Sequence, residues 1–100
     1  MPVPPSPNLS DAHRVLQELL QDPDSLSFTF HSRMQSTSRS FDRRDIRHAL
    51  ASGVLSAEEW DDKHKNWKYR VVGRDLDGDR LAVIIVLDQN HAAIKIITAF

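Results

Sequence analysis

His31 and Arg39 are the residues whose types and spacing could do chemistry together. An imidazole near neutral pH can act as general acid or base, and a guanidinium can hold a phosphate and stabilise charge developing on it. Metal-free RNA cleavage requires little more than these two roles and a positioned 2′-hydroxyl. The two residues are eight positions apart. On a helix this separation rotates the chain by about 80° and lifts it by about 12 Å, so the side chains converge only if the long arginine reaches back. The competing reading is structural, because a histidine at a strand end often serves as a cap or as a hydrogen bonder at the core edge.

Other basic residues surround the pair. Five arginines face only Asp42 and Asp45 between Arg33 and Arg47, and Lys68, Arg70, Arg74 and Arg80 follow on two later strands. If these groups meet on one side they form a cationic patch, the footprint of a phosphate-rich ligand. Arg33, Arg43, Arg70 and Arg74 are then the expected nucleic-acid contacts, since the arginine donor fork suits phosphate. The alternative is a solvated face whose charges are partly paired by the acids of EEWDD, residues 58–62.

Metal and cofactor chemistry are not expected. The five histidines, at 13, 31, 48, 64 and 91, show no HxxxH or HExxH spacing, and there is no cysteine. DLDGD resembles the start of an EF-hand loop, but its glycine, Gly78, is fourth instead of sixth and the twelfth position is Val86. A hairpin turn on Asp77-Gly78 is the expected structure.

The net charge of −1 excludes attraction of the whole molecule to nucleic acid or to an anionic membrane. The longest apolar run, Leu81–Leu87, is far short of the ~20 residues that a membrane span needs. MPVPPSPN has neither the charged nor the apolar region of a secretory signal, so a cytoplasmic location is expected. Residues 1–8 are expected to form a flexible Pro-rich lead-in, and residues 9–100 a single domain.

The elements that must position these residues follow from the pattern. Asn8 or Ser10 can cap a helix with an apolar stripe of Leu9, Ala12, Leu16, Leu19 and Leu20, which Pro23 stops. Ser25–Phe30 alternates as a short strand, and the polar stretch His31–Ser40 is expected as helix. Asp42 caps a second helix with a Phe41–Ile46 staple, ended by Gly53. Extended segments are expected at VLSAEEW, WKYRVVGR, RLAVIIVL and AAIKIITAF, the third apolar on both faces and therefore central. The order predicts an α+β fold: a mostly antiparallel sheet of four to five strands, with two or three helices packed on one face. Trp60 and Trp67 are expected to be exposed, and the last strand to lie at a sheet edge, where it could join two copies.

From Ser27 to Phe100 the order of motifs resembles a family of bacterial domains of unknown function distantly related to RelE-like and BrnT-like toxins. The family opens with a strand ending in His-Ala, then Arg-Met and Arg-Gly-Ile. His31 takes the place of its histidine, Arg39 of its second arginine and Phe41 of its isoleucine. Asp45-Ile46, Ala49-Leu50, Gly53, Tyr69, Val71, Gly73, Asp75, Asp77, Gly78 and Ile96–Phe100 continue the match. The family's Arg-Met pair is replaced by Gln35-Ser36, so its first arginine is missing. The resemblance implies a RelE-like fold and metal-independent ribonuclease activity of toxin type, with His31 as general acid or base, Arg39 as phosphate clamp and Thr98 as positioning hydroxyl. RNA is then the expected partner. The rival expectation is a non-catalytic module that keeps the fold and binds a cognate protein, as a monomer or homodimer.

Overall fold

The computed structural model describes residues 7–34 and 42–100, the side chains of 29–34 excepted. Arg39, Gln35-Ser36 and the Phe41 half of the expected staple lie outside the described residues.

Helix α1 spans Leu9–Leu20 and begins where the Asn8 side chain accepts the Asp11 N–H at 3.1 Å. Its buried stripe is Ala12, Val15, Leu16 and Leu20; Leu9, expected inside, is the first residue of the helix and is exposed. Strand β1 runs Leu26–Met34, so His31–Met34 continues the strand instead of starting a helix. Tertiary pairing overrides the weak local pattern there: Arg33 and Met34 are Cα partners of Thr98 and Ala99. Helix α2, Arg43–Ser52, is held by a reciprocal capping box in which Asp42 and Asp45 each accept the other's backbone N–H.

Gly53 ends α2 in an extended conformation, not the left-handed one expected of a C′ glycine. Glycine is required there for space, because a Cβ would lie 2.6 Å from the Ala49 carbonyl oxygen. Strands β2 (Val54–Asp61), β3 (Asn66–Arg74), β4 (Arg80–Asp88) and β5 (Ala93–Ala99) complete the chain, with a 3₁₀ turn at Gln89–His91. The β3–β4 connection is longer than a two-residue hairpin. Arg74 pairs with Arg80, and Gly78 closes the intervening turn with φ +88°. Asp75 stabilises this turn, its Oδ1 accepting the N–H groups of Asp77 and Asp79 at 3.0 and 2.9 Å. Its carboxylate therefore acts as a turn cap.

The sheet order is β1-β5-β4-β3-β2; β1 and β5 are parallel and the other neighbours antiparallel. The last strand is thus interior, and the edge expected for β5 belongs to β1 and β2. Central β4 sends Leu81, Val83 and Ile85 into one core with Ala12, Leu16 and Leu20 of α1 and Ile46, Ala49 and Leu50 of α2. Both helices cover that face. Trp60 and Trp67 are half-buried and meet edge to face at 5.7 Å, a pairing that removes both rings from the exposed positions expected of them. No helix among the described residues is long and apolar enough to cross a membrane.

Candidate functional site on the open sheet face

Alternation turns Ala82, Ile84 and Val86 of β4 to the face opposite the helices. All three are buried although neither helix lies over them. Their cross-strand neighbours flank them: Arg70 and Thr98 beside Ile84, Lys95 beside Val86, and Val72 beside Ala82. Thr98 reaches this face through an irregularity in β5. The pairs Ile85–Ile96 and Ile84–Thr98 leave Ile97 as an extra residue. Ile96 therefore faces the core, Thr98 faces outward, and Ala99 returns to the core.

The register makes one row across four strands, with Arg70, Ile84, Thr98 and Arg33 as successive Cα partners. His31 belongs to the part of β1 between the Phe28–Ile96 and Arg33–Thr98 pairs, opposite Ile97 alone. Its imidazole lies outside the described side chains.

Arg43 and Arg74 are placed elsewhere. Arg43 donates to the Leu26 carbonyl at 3.0 Å and lies 4.9 Å over the Phe28 ring, tying α2 to the start of β1. Arg74 donates to the Gly78 carbonyl at 2.9 Å, in the β3–β4 turn. Four residues of strand, about 13 Å, separate it from Arg70.

Arg70 keeps its guanidinium 5.2 Å from the Phe100 ring and 3.2 Å from a Glu58 oxygen. Lys68 is 3.2 Å from Glu59, and Lys95 is 3.3 Å from Asp88. Each of these cations has an acidic partner. This is the solvated, charge-paired arrangement that the acids of EEWDD offered, extended by Asp88. Such pairs contribute only about 0–1 kcal/mol where both partners are exposed.

Sequence reasoning missed a feature at one end of this face. The β2–β3 connection holds His64 Nδ1 2.8 Å from Asp61 Oδ2, and the β4–β5 connection holds His91 Nδ1 2.8 Å from Asp88 Oδ2. The repeated D-x-x-H spacing was the available signal. The aspartates also accept turn N–H groups, from Lys63 and His64 in one case and His91 in the other. The His64 side-chain bond chiefly holds the Asp61 carboxyl below its ordinary value, and the His91 bond does the same for Asp88. A cavity of about 300 Å³ opens beside the first pair, lined by His64, Asn66, Lys68 and Lys95 over Val86 and Ile97. Among the described residues no group of three or more His, Cys, Asp or Glu could hold a metal ion.

These elements define an α+β protein with a five-stranded mixed sheet, helices on one face and charged side chains flanking an apolar strand on the other. The chain belongs to the family described as Domain of unknown function (DUF4258), whose model matches residues 28–100. The matched span takes in most of β1 and every later element, so α1 adds its share of the core from outside it. No curated protein and no solved structure matches the chain.

Proposed function

We propose that the sheet face opposite the helices contacts RNA and that the protein is a RelE-like, toxin-type module cleaving RNA without a metal. The observation that carries this reading is the row Arg70, Ile84, Thr98 and Arg33 across a face that neither helix covers. Arg33 and Arg70 take phosphates, with Arg74 further along the track, and the Thr98 hydroxyl orients the nucleotide between them; Arg43, held over Phe28 on the helix side, takes no part. His31 takes the proton of a 2′-hydroxyl as that oxygen attacks phosphorus, and Arg39 offsets the charge that develops. The P–O5′ bond breaks, and O5′ is protonated from water.

The test is expression in a bacterial host with growth and RNA integrity followed. The wild-type chain should arrest growth and fragment RNA, and His31→Ala should do neither. Intact RNA in both strains would remove the ribonuclease reading.

A second reading has its own support. The acidic partners of Lys68, Arg70 and Lys95 leave the described face close to neutral, which suits a protein partner better than a polyanion. A stable stoichiometric partner, captured equally by wild type and by His31→Ala and Arg39→Ala variants, would select this non-catalytic module.

A further inference from the structure

We infer that the cavity at the hairpin end of the open face is a nucleotide subsite, resting on the RNA reading for the polymer to which such a nucleotide would belong. Two ammonium groups line it, Lys68 on β3 and Lys95 on β5, from the strands that flank Val86 of β4, and a phosphate between them is the ligand that two long lysines can reach from both sides. Their present partners, Glu59 and Asp88, stand at 3.2 and 3.3 Å in partly exposed pairs that a doubly charged anion displaces readily.

The floor is apolar. Val86, almost fully buried, and the half-buried Ile97 line it, an apolar surface suited to a flat ring. Asn66 supplies the polar edge: its side-chain oxygen is buried without a hydrogen-bond partner among the described residues. An orphaned acceptor of this kind is unfavourable where it stands and gains a bond when it turns toward a donor on a base. The volume, about 300 Å³, is at the lower end for small-molecule sites and fits one nucleotide unit better than a larger ligand. Asp61 is the acid in the wall, and its carboxylate is already engaged by His64 and two turn N–H groups.

The ligand could be a free nucleotide or one unit of an RNA chain, and two arms of one experiment separate these sources. The full chain is titrated with uridine 5′-monophosphate and with a ten-nucleotide oligouridylate while amide and lysine resonances are followed. Both probes should shift Asn66, Lys68 and Lys95. Lys68→Gln and Lys95→Gln, checked for unchanged thermal unfolding, should each weaken binding about tenfold, whereas Lys95→Arg should retain it. An oligonucleotide that shifts Arg70 and Thr98 but leaves Asn66 and Lys95 unmoved overturns the subsite and spares the RNA face. Binding of the mononucleotide alone upholds the subsite and removes the RNA reading. Inorganic phosphate binding as tightly as the mononucleotide overturns the nucleotide assignment, and no shift with either probe overturns both proposals.

Discussion

Asp61 and Asp88 show how a turn residue becomes part of a site. Each carboxylate closes its own hairpin connection and also pairs with Nδ1 of a histidine. The same bonds make stability depend on pH. Both carboxyls sit below their ordinary value of 3.8 in the folded chain, Asp61 mainly through His64 and Asp88 mainly through His91. A depressed carboxyl binds protons less readily folded than unfolded, so its contribution is complete above the ordinary value. It is lost as pH falls below 3.8 through the folded pKa. Asp42 adds to this in the same direction, chiefly through the Asp45 N–H and then Arg44. Urea midpoints measured between about pH 2 and pH 6 should therefore fall on the acid side. The double variant Asp61→Asn, Asp88→Asn should show a flatter acid limb than wild type. Parallel limbs would mean that these pairs do not persist in solution.

The docking of α2 on β3 brings the two backbones into close contact. A Cβ on Gly73 would lie 2.1 Å from the Ala49 carbonyl oxygen, so the helix backbone rests directly on the strand. Gly78, by contrast, needs its positive φ but faces open space. Gly73→Ala should then cost at least the roughly 1–3 kcal/mol of an overpacked core. Gly78→Ala should cost about 1 kcal/mol for the left-handed backbone alone. Chemical denaturation ranks the two, and the reverse order would contradict the packing. Asp45 joins α2 to the β3–β4 turn, capping the helix through Oδ2 while its Oδ1 accepts the Leu76 N–H at 3.1 Å. Asp45→Ala should destabilise by about 1–2 kcal/mol in the same measurement, as loss of a helix cap does. Much of this was legible in the sequence, because caps, alternation and the apolar run of β4 are local signals. The extension of β1 through His31 was not: that segment lacks alternation, and its strand character comes from parallel pairing with a segment more than sixty residues away. The outward turn of Thr98 was equally hidden, since simple alternation from Ile94 and Ile96 would have sent it inward. The Ile97 irregularity appears only once the strands are paired.

At the scale of the whole molecule, a net charge of −1 gives no long-range pull on a polyanion, so binding to RNA has to come from contacts made at short range. The face opposite the helices and its hairpin end carry Arg70, Lys68 and Lys95, and the backbone register puts Arg33 in the row with Arg70. Neutralising one phosphate of a single strand lowers log K by roughly 0.7 per unit of log salt, so four such contacts predict a slope of about −3. The acidic partners sharpen this expectation. Where a cation keeps Glu58, Glu59 or Asp88, it releases fewer counterions, and the slope becomes shallower. Glu58→Gln and Glu59→Gln together should therefore tighten binding at low salt and steepen the slope toward that limit. Oligouridylate affinity measured by anisotropy across a salt series reads both effects. A slope near zero in wild type and variant alike would assign the open face to a protein surface. A slope much steeper than about −3 would require contacts beyond these four cations.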